Sequence, residues 1–433
     1  MNKKSVWAVS ILWGIVLLSV PLWILSYPET TFRNTASPWL IYAAQLSGLL
    51  GFSLYALSLM LATRLSWLED LFDGLDKVYH VHHTIGKAAF AFLLIHPLLL
   101  ALRWVPHDIE KALWYIFPLH RKTEINLGSW ALWGLVLLML FTLISRMPYD
   151  KWKITHKFMG LFFIFGILHV FLLDDLIFEN LPLAIYLVSL SVLGAVSWLY
   201  KSVFLELEIS KYHYTVEQVE RLNEKIMQIS LRPIDEELSF LPGQFCFFSF
   251  RDEALSREGH PYTICSAPEQ QTITITVKAL GDYTNRLYRE LRPGVPALIE
   301  GAYGRFDYRQ CSYPQIWIAG GVGIAPFISW ANALQNTQPP PEFDAELYYC
   351  VNSRADAVYL QTFETLEQQL PGFSVHLTCA EQEGFLKADD IPGVRDKKIF
   401  ICGPKEMRQA LLKGFDKLQV PRKNILFEDF DFF

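Results

Sequence analysis

The strongest constraint in this 433-residue chain is a set of long uncharged apolar runs confined to its first 200 residues. Residues 6–27, 35–63, 125–145 and 180–200 contain no Asp, Glu, Lys or Arg. A bilayer core about 30 Å thick is crossed by roughly 20 apolar residues in a helix, so each run is long enough to span. Two shorter blocks, Ala88–Leu102 and Phe158–Leu173, reach spanning length once His82–Lys87 and His156–Lys157 are added. The expectation is six spans. The first run reads as a span rather than a cleaved leader, because five more follow and no small-residue cleavage site stands after it.

Composition agrees with this division. Charged residues are 19% of the chain, against about 25% in an ordinary soluble protein. A disordered chain, a small disulfide scaffold and a wholly soluble enzyme are excluded. The net charge is −6 and no basic block stands out, so no nucleic-acid partner is expected. The six cysteines, Cys246, Cys265, Cys311, Cys350, Cys379 and Cys402, form no CxxC pair. Zinc and cysteine-ligated iron–sulfur sites are therefore not supported, and scattered thiols suit a reducing compartment. Lys3, Lys4, Arg146, Lys151, Lys153, Lys157 and Lys201 fall on one side of six spans, which by the positive-inside bias is cytoplasmic. Arg103, Lys111, Arg121 and Lys122 on the other side oppose that assignment.

Four of the eleven histidines carry the chemistry. His82 and His96 stand as i and i+14 in the third span, and His156 and His169 as i and i+13 in the fifth. Both separations are close to four helical turns, so each pair occupies one stripe with a rise of about 20 Å. The third and fifth spans run in the same direction. His82 therefore levels with His156 on the inner side, and His96 with His169 on the outer side. Facing imidazoles on neighbouring helices suit a bis-histidine haem, and two stacked pairs suit two haems. A single intramembrane histidine is more often a helix–helix hydrogen-bonding group, but matched double spacing is not explained that way. His83 stands to His96 as His156 stands to His169, at i and i+13, and is a rival for the inner ligand. His80, His107 and His120 lie outside the spans or at their ends.

Beyond Lys201 the pattern turns to alternation. Segments 214–222, 225–231, 244–250 and 272–280 read as strands of an antiparallel barrel of roughly 100 residues. Within it, HPYTICSAP (260–268) places an aromatic and a Thr on a strand, able to stack on a flat ring and bond its edge. KALGDYTNRL (278–287) ends a strand at Gly281 and starts a helix at Thr284 running to Leu291, capped by Asp282 or Thr284. Its free N–H groups would suit a pyrophosphate, although an ordinary capped helix reads the same way. The last 120 residues alternate strands with helices. Strand 316–319 enters the turn GGVGIAPF (320–327) and a helix through Gln335. Strand 346–352 is followed by Ser353 and Arg354. Strand 398–404 opens the helix 405–415, with Pro404 in its first turn. These strand ends place Gly320–Gly323, Ser353 and Cys402 around one crevice.

Together these motifs resemble the NADPH oxidase and ferric reductase superfamily over almost the whole chain. HPYT with SAP, KALGDYT, GAYG (301–304), GGVGIAPF and CGP (402–404) follow in order after the paired histidines. Soluble relatives usually have Arg where this chain has His260. The resemblance implies a multidomain membrane protein: an all-α six-helix transmembrane haem domain (1–205), an antiparallel β-barrel FAD domain (206–310) and an α/β nucleotide-binding domain (311–433). It implies two b-type haems on His82, His96, His156 and His169. FAD would be held by His260, Pro261, Tyr262 and Thr263 at the flavin ring, with Ser266, Lys278, Gly281, Asp282 and Thr284 toward the pyrophosphate. NADPH or NADH would be held by Gly320, Gly321, Gly323, Ser353, Arg354, Cys402, Gly403 and Pro404. Ser353-Arg354 favours NADPH. Thr263, Cys402 and a C-terminal aromatic over the flavin would carry the hydride step. The FE-x-F pattern points to Phe430, with Phe433 as its rival.

Two departures bear on the acceptor. Oxidases of this family carry an arginine in the second span near the outer haem, where this chain has Gln45, and a histidine where it has Leu100. The implied activity is NAD(P)H oxidation in the cytoplasm with electrons passed through FAD and the haems of a multi-pass cell-membrane protein. The outer acceptor is O2, giving superoxide, or alternatively a ferric chelate. Two histidine ligands leave no open iron position, so the acceptor would be reduced at the haem edge. A reading from another class is a haem-free transporter or receptor with a cofactor-sensing domain.

Overall fold

The computed structural model describes residues 3–26, 38–143, 149–173, 175–178, 180–204, 211–253, 255–256, 258–337 and 339–428. The chain divides into two compact units, Met1–Ile209 and Ser210–Phe433.

The first unit is helical: α1 (Lys3–Leu25), α2 (Pro38–Leu61), α3 (Ser66–Phe72), α4 (Leu75–Leu102), α5 (Ile109–Ile116), α6 (Thr123–Leu143), α7 (Tyr149–Lys157), α8 (Met159–Leu173) and α9 (Leu181–Leu199). Six helical stretches among the described residues are long and apolar enough to cross a membrane. They include the two short blocks: α4 runs 28 residues through both His82 and His96, and α7 and α8 together supply the fifth span. Helix α4 lies along α2, and α8 along α6. Small residues permit these approaches. A methyl on Gly51 would meet Leu93 at 2.8 Å, and one on Gly134 would meet the Phe162 ring at 2.0 Å. Such close helix–helix packing replaces the hydrophobic drive that lipid does not provide.

The second unit begins with six strands: β1 (Tyr212–Arg221), β2 (Ile226–Pro233), β3 (Phe245–Phe250), β4 (His260–Thr263), β5 (Ile273–Lys278) and β6 (Pro296–Tyr303). Their order is β4-β3-β6-β1-β2-β5, every named pairing is antiparallel, and a bridge from Ile264 to Ile275 closes the barrel. Inward residues such as Tyr214, Ile229, Phe248, Ile275 and Ile299 fill it. Helix α10 (Asp282–Glu290) packs below β5.

The remainder is a parallel sheet of β7 (Gln315–Gly320), β8 (Ala345–Val351), β9 (Phe373–Cys379), β10 (Lys398–Cys402) and β11 (Ile425–Phe427), in the order β11-β10-β7-β8-β9. Helices α11 (Ala325–Asn336), α12 (Leu360–Gln369), α13 (Ala380–Glu383) and α14 (Lys405–Lys417) connect the strands. Barrel and sheet are joined by buried polar contacts. The Ser329 hydroxyl donates to the Ser266 carbonyl at 3.0 Å, Asn332 donates to the Cys265 carbonyl at 2.8 Å, and the Tyr359 and Thr276 hydroxyls lie 2.6 Å apart.

Three local expectations shift. Helix α10 begins at Asp282 rather than Thr284 and ends at Glu290, because Gly281 takes the cap position and Thr284 reaches back to it. Pro404 precedes α14 as its cap rather than entering the first turn. Strand β10 stops at Cys402, before the Gly-Pro pair that cannot continue it.

Candidate functional site

Helix periodicity becomes geometry in the first unit. The His82 and His156 rings are 6.3 Å apart between centroids, and so are the His96 and His169 rings, with near-perpendicular planes of 76° and 71°. A metal bonded to both imidazoles at about 2 Å per bond would separate the ring centres by about 6 Å, so both pairs fit a shared iron. His83 also lies beside His82, at 5.7 Å, but it is His82 whose ring faces His156.

What aims these rings is backbone on the neighbouring helix. His82 Nδ1 bonds the Ser58 carbonyl at 2.9 Å and lies 3.0 Å from the Ser58 hydroxyl. His96 Nδ1 bonds the Ala44 carbonyl at 2.7 Å, and His169 Nδ1 bonds the Glu124 carbonyl at 2.7 Å. A carbonyl only accepts, so each Nδ1 carries the proton and each Nε2 is left as the ligand atom. One helical turn past two of these acceptors stands a glycine. A methyl on Gly48 would meet His96 at 2.9 Å, and one on Gly128 would meet His169 at 2.8 Å. His156 differs. It stacks on Trp152 at 4.9 Å, and its buried Nδ1 has no hydrogen-bond partner among the described residues. The inner pair opens on a pocket lined by Tyr55, Leu59, Phe90, Leu135, Met139 and Met159 among others.

In the barrel, two separate sequence motifs meet. His260, first in β4, stacks on Tyr283 in the opening turn of α10, with ring centres 3.7 Å apart and planes at 21°. Tyr262 and Tyr283 each bury a hydroxyl with no hydrogen-bond partner among the described residues, and burial pushes both phenols up in pKa. A buried donor without an acceptor calls for a partner, and a bound ligand can supply one. Thr263 is buried opposite Phe245. Gly281 and Asp282 are exposed at the start of α10, where Thr284 Oγ1 accepts from the Leu280 and Gly281 N–H groups at 3.0 Å each. Ser266, expected toward the pyrophosphate, is a buried residue. It is 1% exposed and its hydroxyl accepts from the Thr274 N–H. Lys278 closes β5, partly exposed.

At the sheet, glycines let backbones touch. A Cβ on Gly323 would sit 2.3 Å from the Cys402 carbonyl oxygen, and one on Gly403 would sit 2.9 Å from Gly320 Cα. Gly321, at φ +55, faces open space. The two loops at the ends of β7 and β10 are thus one surface. Ser353 follows β8 and both its N–H and its hydroxyl donate to the Asp356 carboxylate, at 3.3 and 3.1 Å. Arg354 stands next to it. Cys402 is buried at the end of β10, and burial, then the nearby Glu428 carboxylate, hold its thiol well above the usual range. Glu428 also borders Gly304 of the barrel, at 3.0 Å from a Cβ there. Buried Arg408 donates to its carbonyl. Phe430 and Phe433 lie outside the described residues.

Sequence reading missed Tyr283, Asp356, Glu428 and Arg408. Tyr283 stood inside a quoted motif, and Glu428 inside FEDF. The histidine-aiming carbonyls left no signal, since every residue has one.

Residues 47–167 match the family described as ferric reductase like transmembrane component. Residues 211–314 match an FAD-binding domain, and 317–413 an oxidoreductase NAD-binding domain. The chain belongs to the NADPH oxidase and ferric reductase superfamily. This superfamily chain is also 28% identical over 227 residues to a 2-halobenzoate 1,2-dioxygenase electron transfer component of Burkholderia cepacia, covering 49% of this chain and 66% of the relative. It is 26% identical over 266 residues to flavohemoprotein A of Dictyostelium discoideum, covering 52% and 66%. A flavohemoglobin structure from Malassezia yamatoensis with bound FAD and heme aligns at TM-score 0.52 and 13% identity, over 90% of this chain and 98% of that one, a likeness of fold alone. The superfamily chain spans 38–66% of the length of the curated relatives it matches. Its helical unit makes it a multi-pass membrane protein, and its second unit carries the FAD- and NAD-binding domains of an oxidoreductase.

Proposed function

We propose that the protein oxidises NAD(P)H on the cytoplasmic side of the cell membrane and delivers the electrons to an acceptor on the outer side. The observation that carries this reading is the pair of imidazole pairs, each 6.3 Å between ring centres, in a chain that also has FAD- and NAD-binding domains. His82 with His156, and His96 with His169, would each hold one b-type haem through Nε2. Tyr262, Tyr283, His260 and Thr263 would hold the flavin, with the start of α10 toward the pyrophosphate. When bound, FAD converts two-electron hydride chemistry into one-electron steps that haem iron can carry through lipid.

The residues have distinct tasks. Ser58, Ala44 and Glu124 fix the imidazole tautomers by accepting from Nδ1. The glycine surface at Gly320–Gly323 and Gly403 lets a dinucleotide backbone approach the strand ends. Cys402 holds its proton on Sγ, and Glu428 supplies an adjacent carboxylate. Arg354 favours a 2′-phosphate and thus NADPH. The Asp356 carboxylate beside Ser353 works in the opposite direction, toward NADH. Comparing KM for both cofactors in Arg354→Ala and Asp356→Asn separates the two influences. An unchanged preference in Arg354→Ala overturns the NADPH assignment.

O2, yielding superoxide, is the proposed acceptor. One observation favours a ferric chelate as the alternative. Gln45, which replaces an oxidase arginine, accepts from Trp23 Nε1 at 3.2 Å and adds no cation near the outer pair. Purified protein supplied with haem is expected to give a strong Soret band that shifts on dithionite. Absence of that band favours the haem-free transporter or receptor. Superoxide formation against ferric chelate reduction then separates oxidase from metalloreductase.

A further inference from the structure

We propose that the outer end of α4 carries a carboxylate-binding site built on Arg103 and Trp104. The proposal rests on the haem reading above. Arg103 lies two helical turns past His96, so it continues the same stripe about 10 Å farther out. It closes α4 as the residue after Leu102.

Local packing holds the guanidinium in place. Its carbon lies 5.7 Å from the Trp104 ring centre and 5.5 Å from that of Tyr115, and one Nη contacts the Tyr115 hydroxyl at 3.4 Å. Tyr115 belongs to α5, whose start is fixed by the Asp108 carboxylate accepting from the Lys111 N–H. Lys111 is neutralised by Asp108 at 3.0 Å while its ammonium rests over Trp104 at 4.8 Å. Arg103 has no carboxylate partner among the described residues. Its Nε and the Trp104 Nε1 are both buried and lack an acceptor there.

Two adjacent buried donors without acceptors are uncommon in a folded protein, because each forfeits its bonds to water. Both groups only donate, so the missing partner is an acceptor. A planar cation packed against an indole whose N–H also lacks an acceptor among the described residues suits a carboxylate, which a guanidinium grips in plane. Two sources can supply it. A haem propionate would be reached from the stripe that carries His96. An anionic ferric chelate such as ferric citrate would be reached from the outer aqueous side. In either case Arg103 supplies on α4 the outer cation that the second span lacks at Gln45.

The test uses the full-length protein loaded with haem, comparing wild type with Arg103→Gln, Arg103→Lys and Trp104→Phe. Two readouts are taken: the midpoint potentials of both haems, and KM for ferric citrate against KM for an uncharged ferric hydroxamate. A propionate at the site predicts that Arg103→Gln lowers one midpoint potential and spares the other, with the KM ratio unchanged. A chelate carboxylate predicts unchanged potentials and a KM for ferric citrate raised about tenfold, with the hydroxamate unaffected. In both arms Arg103→Lys restores part of the effect and Trp104→Phe shows a smaller one. If Arg103→Gln does not fold, Trp104→Phe carries the same readouts. Unchanged potentials and unchanged KM values in variants that retain both haems overturn the site. A wild type without a Soret band overturns the haem reading instead, so the two failures are distinct.

Discussion

In the helical unit the candidate ligands are side chains, and the backbone's part is to aim them. In the parallel-sheet part of the second unit the closest approaches are made by backbone, and the side chains' part is to be absent. His96 reaches across to Ala44, and Gly48 leaves room for its ring. Gly323 and Cys402 instead touch main chain to main chain. The contrast follows from solvent and chemistry. A membrane helix satisfies its own backbone and can offer a ligand only on a side chain. Strand ends and helix starts have spare N–H groups, which suit a diphosphate. The first unit should therefore be broken by deleting atoms and the second by adding them.

The largest expected effect is deletion of one imidazole. His96→Ala should remove about half the bound haem and abolish delivery to the outer acceptor, measured as haem per protein and as superoxide formation and chelate reduction. Full haem content would break the comparison on the helical side. Next comes addition of one methyl at the sheet. Gly323→Ala should cost about 1–3 kcal/mol of stability by overpacking against the Cys402 carbonyl, and raise KM for NAD(P)H. Unchanged thermal unfolding and KM would refute the backbone account. A third change crosses the two categories, since it adds a methyl against a ligand. Gly48→Ala should weaken haem binding at the outer site by roughly 10-fold or more and spare the inner site, as resolved by low-temperature spectra or redox titration.

Smaller effects sharpen the picture. Tyr262→Phe should weaken FAD binding by roughly 5–10-fold without lowering the stability of the flavin-free protein, since its hydroxyl has no partner among the described residues. A loss of apo-protein stability would assign that hydroxyl to the fold. Cys402 should resist alkylation at about pH 8, because burial keeps its thiol protonated. The unfolded thiol ionises near about pH 8.5 while the folded one does not, so this group's contribution to stability falls as pH rises past that value. Rapid labelling of Cys402 in the native protein would contradict its buried placement.

The sequence disclosed the parts that depend on composition and period. Uncharged runs located the six spans, and matched spacings of close to four turns placed the four histidines level in pairs. The alternating segments of the barrel differed from the observed strands by only a few residues at their ends. What stayed hidden depends on neighbours brought from afar. Glu428 matters because β11 lies beside β10, and Asp356 because its loop turns back on Ser353. Neither adjacency has a local signature. The start of α10 was displaced because glycine, lacking a side chain, was passed over as a cap in favour of Asp282 and Thr284.

The acceptors Ser58 and Ala44 are separated along α2 by as many positions as His82 and His96 are along α4, the antiparallel helix they serve. The two helices thus act as matched scales, read at two marks. A single inserted residue between the marks on either helix would turn everything beyond it by about 100° and lose one reading. Descendants of this chain can lengthen their loops freely, but the segments 44–58 and 82–96 must change length together or not at all.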